Sequence, residues 1–178
     1  MTDRELADRC IRGDRSAHEL LWKMYAGKMF TVCRRYFDDN EDAQDALQEG
    51  FIRVFRYLDQ WQEQGQLGAW IRRVMVNTSL NMLKNKKAVI VGIDSDQFSE
   101  LTDHSIQALS DLHQDDLIRL IQQMPAGYRT VFNLFAVEGF SHAEIAASLN
   151  VSENTSKTQY HKAKAWLKSK LEASAKHG

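Results

Sequence analysis

The sequence predicts an all-α protein of two small helical domains joined by an acidic linker, the second domain a helix-turn-helix. Three observations carry this. Apolar residues recur at three- and four-residue spacing along most of the 178 residues, with one proline and no Asn-Gly or Asp-Gly hairpin signal. Charge is divided along the chain: residues 1–87 hold 15 Lys+Arg against 13 Asp+Glu, residues 88–116 none against 7, and residues 117–178 eight against four. Finally, Ser141 to Leu171 reads as a short helix, a tight turn and a longer helix.

The totals exclude several classes. No apolar run approaches the ~20 residues needed to span a bilayer, and the N-terminus MTDRELADRC has no signal-peptide core, so a cytoplasmic protein is expected. Cys10 and Cys33 lack metal spacing and are expected as buried, reduced thiols. The net charge of −1 does not exclude nucleic acid, because attraction to phosphate is local and two basic parts flank the acidic one.

Residues 3–12 read as a short helix ending at Gly13. Ser16 and Glu19 have capping-box spacing and open a helix whose core stripe is Leu20, Leu21, Met24, Met29, Val32, Cys33 and Tyr36. The run DDNED breaks it, and Asn40 is placed to cap the next. In EDAQDALQEGFIRVFRYLDQW, Ala43, Ala46, Leu47, Gly50, Phe51, Val54 and Leu58 form an apolar face. Asp42, Asp45 and Glu49, with Gln48 beside them, line another. That acidic face fits plain solvation, docking of a basic partner, or paired catalytic carboxylates. The last lacks a His, Lys or nucleophile spaced to work with it.

QWQEQGQLG (residues 60–68) reads as a loop. AWIRRVMVNTSLNMLKNKK follows, with a buried stripe of Trp70, Ile71, Val74, Met75, Thr78 and Met82. Arg72, Arg73, Asn77, Asn81, Lys84, Lys86 and Lys87 place amides and cations elsewhere on it, suiting a solvated basic helix end or contact with unstacked bases. Residues 88–116 open with the β-prone AVIVG and continue as an acidic linker, with a helix expected to start near Ser105. Fully extended, the linker would reach roughly 100 Å at 3.3–3.6 Å per residue. Helices resume at Leu117, stop at Pro125, and continue from about Tyr128 with Val131, Leu134, Phe135 and Phe140 available for a core, ending at Gly139.

In the last stretch Ser141 and Glu144 form a capping box, and Ile145, Ala146 and Leu149 share one side. Asn150 tolerates the left-handed stop, Val151 plugs the turn, and Ser152 caps the second helix. There Ser156, Tyr160, Ala163, Leu167 and Leu171 form the buried stripe, with Asn154, Lys157, Thr158, His161 and Lys162 opposite. That polar face can donate to base edges and phosphates, or simply be solvated.

Taken together, these motifs resemble the extracytoplasmic-function sigma factors, the short two-domain members of the bacterial sigma-70 family, over nearly the whole chain. EDAQDALQEGFIRVFRYLDQW resembles the region-two segment that docks on the β′ clamp helices of RNA polymerase, and GAWIRRVMVNTSLNMLKN the segment that melts and reads the minus-ten element. MPAGYRTVFNLFAVEGFSHAEIAASLNVSENTSKTQYHKAKAWL resembles region four, a winged-helix-like helix-turn-helix that reads the minus-thirty-five element.

The resemblance implies region two over residues 1–87, the linker over 88–116 and region four over 117–178. It puts Asp42, Asp45, Gln48 and Glu49 against the clamp helices. Asn77, Asn81 and Lys84, with Gln62, Gln64 and Gln66 in the loop, fall near the melted non-template strand, and Arg73, Lys86 and Lys87 on phosphates. Asn154, Lys157, Thr158, Gln159, His161 and Lys162 fall on the minus-thirty-five element.

Core polymerase (clamp helices and β flap), promoter DNA and an anti-sigma factor are the implied partners. No catalytic residue, metal or cofactor is implied. Gln159 stands where the family commonly has arginine, and Ser156 where it has a small apolar residue. The alternatives are a stand-alone helix-turn-helix regulator, which would bind duplex DNA tightly without polymerase, and an enzyme. The six histidines have no metal or triad spacing, which speaks against an enzyme, and most are expected at the surface.

Overall fold

A computed structural model describes residues 1–86 and 113–177. Between them fall AVIVG, the expected helix near Ser105 and most of the acidic stretch, outside the described residues together with Lys87. The chain divides into two compact units between Lys87 and Ala88. Among the described residues every regular element is helical, so no β-wing accompanies the helix-turn-helix there.

In the first unit, α1 (Asp3–Ile11) opens with a capping box absent from the sequence reading: Glu5 N–H donates to Thr2 Oγ1 and Thr2 N–H to the Glu5 carboxylate. Gly13, at φ 81°, turns the chain. The cap of α2 (Arg15–Arg34) is Asp14, not the expected Ser16–Glu19 box. Asp14 takes the extended cap backbone and Oδ1 accepts from Ser16 and Ala17 N–H, which leaves Ser16 already inside the helix. Similarly, Asp39 caps α3 (Asn40–Tyr57) by accepting from Asp42 N–H, while Asn40 is its first helical residue and accepts from Arg34.

Leu21, Met29, Val32, Cys33 and Tyr36 are buried as the stripe of α2 predicts, but Met24 is 47% exposed because it falls off their line. The apolar face of α3 is buried as read. Gly50 lets the Met75 side chain lie close, since a Cβ would fall 2.2 Å from Met75 Sδ and push that flexible side-chain end aside. After a 3-10 turn (Leu58–Gln60) and a loop comes α4 (Leu67–Asn85), which packs on both α2 and α3. It therefore buries a wider arc than the predicted stripe. Ile71, Met75 and Thr78 are joined by Val76, Ser79, Leu80 and Leu83, while Trp70, Val74 and Met82 are only partly buried. Cys10 and Cys33 are free and buried, and burial pushes the Cys33 thiol up to about 11.

In the second unit, α5 (Gln114–Gln123) starts three residues before the expected Leu117 and buries Ile118 and Ile121. Pro125 separates it from α6 (Ala126–Phe132). The single helix expected from about Tyr128 to Gly139 instead starts at Ala126 and widens into a π-helical turn, Asn133–Val137, in which Glu138 N–H donates to Asn133 O at 2.9 Å. Gly139, at φ 77°, ends it. The helix-turn-helix is then α7 (His142–Leu149), Asn150 in the left-handed region at φ 55°, and α8 (Glu153–Ala175). The Ser141–Glu144 box forms, and Ser152 Oγ accepts from Thr155 N–H at 3.0 Å. Ser156, Tyr160, Ala163 and Leu167 are buried, and Leu171 partly so.

Candidate nucleic-acid interface

The presented face of α8 follows from which residues its stripe buries. Asn154 and Lys157 are exposed, and Thr158, His161 and Lys162 partly so. Gln159 leaves the expected set. It is 6% exposed, and its Oε1 is buried without a hydrogen-bond partner among the described residues. Its position beside Tyr160 and Ala163 turns it inward, and the stripe is one residue wider than the sequence reading gives it.

A histidine expected at the surface instead joins the two helices of the motif. His142 Nδ1 lies 2.8 Å from Ser156 Oγ, and its ring stacks on Phe135 at 4.3 Å and 13°. Burial lowers its pKa, and Lys157 lowers it further. The hydroxyl of Ser156, standing where an apolar residue is usual in the resembled family, thus has a partner. The signal was a serine inside an apolar stripe, but its partner is 14 positions back. His18 is also partly buried: Nε2 lies 2.9 Å from Cys10 O, and the ring 4.6 Å from Phe55.

In the first unit, Arg73, Asn77, Asn81 and Lys84 are all exposed along one line of α4 at spacings of four, four and three. Gln62, Gln64 and Gln66 are exposed in the loop that leads into it, between Trp61 (7% exposed) and Leu67 (fully buried). The structure therefore places these amides and cations together on one unit.

Lys86 is different. Its ammonium pairs with the Asp42 carboxylate, which raises its pKa, and Asp39 and Asp45 add to the attraction. It also supplies counter-charge beside the clustered carboxylates of Asp38, Asp39 and Asp42. An expected phosphate contact and an expected docking acid thus engage one another within the unit. Of the other docking residues, Asp45 and Gln48 are exposed, and Glu49 accepts from Arg53 Nε at 3.0 Å. Among the described residues no helix is long and apolar enough to cross a membrane.

Comparison with known proteins gives this geometry its context. Residues 21–89 match the family described as Sigma-70 region 2, and residues 114–167 that described as Sigma-70, region 4. The ECF RNA polymerase sigma-E factor of Escherichia coli is 26% identical over 97% of this chain and 95% of its own. The RNA polymerase sigma-H factor of Pseudomonas aeruginosa is 27% identical over 91% of this chain and 90% of its own. Among solved structures, CnrH in complex with the cytosolic domain of CnrY has a similar fold, with a TM-score of 0.51 at 22% identity, covering 96% of this chain and 97% of that one. With both sigma-70 regions present in order on an all-helical frame, the chain belongs to the sigma-70 family as an extracytoplasmic-function sigma factor, a non-enzymatic subunit that directs transcription initiation by RNA polymerase.

Proposed function

We propose a division of labour between the two units. Residues 1–87 dock on core polymerase and hold the melted minus-ten strand, residues 88–116 span between sites, and residues 117–178 read duplex DNA at the minus-thirty-five element. The observation that carries the proposal is the exposed line Arg73, Asn77, Asn81 and Lys84 beside the glutamine loop, since amides and cations on one face suit unstacked bases and their phosphates. Asp45, Gln48 and Glu49 offer the basic clamp helices a complementary face, and Asp42 joins them by exchanging Lys86 for a polymerase cation. Asn154, Lys157, Thr158, His161 and Lys162 read and anchor the duplex element.

An anti-sigma factor is the partner proposed to cover these surfaces; CnrH, of similar fold, is itself found bound to a domain of another protein. The β flap is proposed to hold the second unit, and the cytoplasm is the compartment where such a complex would work. Run-off transcription tests the reading, using core polymerase and a template pool randomised through both promoter elements. Transcripts that share two sequence elements and depend on the chain are expected. Chain-independent transcription, or tight promoter binding by the chain without core, would overturn it.

A further inference from the structure

The loop over residues 61–66 contains two left-handed backbones, Glu63 at φ 57° and Gly65 at φ 103°. Glycine accepts this freely, whereas a glutamate carries a steric cost there and needs outside support. That support comes from α1. Arg4 Nη1 donates to Glu63 Oε1 at 2.7 Å across 59 positions, while Arg4 Nε donates to Asp8 on its own helix at 3.1 Å, fixing the guanidinium. Asp3 Oδ2 accepts from Leu67 N–H at 3.2 Å across 64 positions. That amide belongs to the first turn of α4, whose N-cap residue Gln66 makes no side-chain cap bond. Asp3 thus supplies the cap remotely, and Gln66 remains exposed beside Gln62 and Gln64.

We propose that α1 is a brace for the base-reading loop: Asp3 and Arg4 are positioning residues that set the base preference of Gln62, Gln64 and Gln66 without touching DNA. The proposal rests on the reading of this loop as facing the melted strand. Two effects act together. Freed from Arg4, Glu63 can relax out of the left-handed region and carry the amides on either side of it beyond hydrogen-bond reach of a base edge. Its carboxylate also loses the cation that screens it from nearby phosphate. Both Arg4 and Glu63 are about half exposed, with side chains 55% and 51% accessible, so the brace is weak and salt-sensitive.

The test is the base preference read from transcripts of the randomised template pool, using holoenzyme reconstituted with the full chain. Arg4→Glu and Glu63→Arg are each expected to shift preference roughly two- to fivefold at the positions facing the loop, the scale of one exposed ion pair. The Arg4→Glu/Glu63→Arg double variant should restore it, and Asp3→Asn should give a similar shift by weakening the cap of α4. Core pull-down should stay unchanged in every variant, and the thermal midpoint in Arg4→Glu and Glu63→Arg, whose pair is exposed, which separates positioning from folding. Gln62→Ala, Gln64→Ala and Gln66→Ala are the control. If none moves the preference, the loop reading falls and the brace with it. If they move it while Arg4→Glu and Glu63→Arg do not, or if the charge swap fails to restore it, the brace alone is overturned.

Discussion

The element proposed to read duplex DNA and the loop proposed to meet the melted strand are built by opposite means. The helix-turn-helix is fixed from within: a local capping box, an αL asparagine, a buried stripe and the His142–Ser156 bridge all lie inside one short stretch of chain. The glutamine loop is fixed from outside, by exposed side chains of α1 about sixty positions away and by buried ends at Trp61 and Leu67. The difference suits the targets. Under the proposed division of labour, duplex DNA, which presents one shape, would be met by a preformed surface, and the melted strand by a surface that small changes in charge can retune.

The largest effect is expected in the second unit. Leu167→Ala removes a side chain 1% exposed in the stripe of α8 and should destabilise that unit by about 2–5 kcal/mol. Thermal unfolding should then show an early transition for the second unit, with the first unit's transition unmoved. Next in size, Asp45→Arg places a cation on the exposed acidic face and should weaken core pull-down by about tenfold, through like-charge repulsion. Ser152→Ala should cost about 1 kcal/mol by removing the cap that accepts from Thr155 N–H, measurable as a lower denaturant midpoint. Lys162→Ala should weaken promoter binding uniformly and lower the salt slope by about one, as expected for a lost phosphate contact.

The smallest effect is a pH dependence of the second unit. The folded pKa of His142 lies below its ordinary value of 6.5, because burial and Lys157 disfavour the charged form. Its neutral ring therefore supports the second unit fully above pH 6.5, and that support is lost as pH falls through the lowered folded value. The groups facing it are Lys157, Glu153 and His161 of α8. The thermal midpoint of the second unit should fall on acidification, and less so in His142→Phe, which keeps the stack on Phe135 without titrating.

The same contrast explains what the sequence could disclose. The Ser141–Glu144 box and the stop at Asn150 are local signals at fixed spacing and stand as read, and the stripe of α8 holds at Ser156, Tyr160, Ala163 and Leu167. Asp14 and Asp39 displaced the expected caps Ser16 and Asn40 because several capping residues adjoin, and the preceding turn decides which one takes the extended backbone. Gln159 and Met24 depart from expectation because stripe width depends on what packs alongside, which periodicity does not contain. The Asp42–Lys86 pair, the His142–Ser156 bridge and the Asp3 cap of α4 join residues 44, 14 and 64 positions apart, and such pairings leave no local pattern.

The division of labour is tested most directly by permanganate reactivity of thymines in promoter DNA bound by holoenzyme, with duplex occupancy measured in parallel. The account predicts that an Asn77→Ala/Asn81→Ala double variant keeps occupancy at the upstream element while losing reactivity around the minus-ten element, and that Lys157→Ala loses occupancy first. A double variant that still melts the promoter fully, or one that loses upstream occupancy as well, would contradict it.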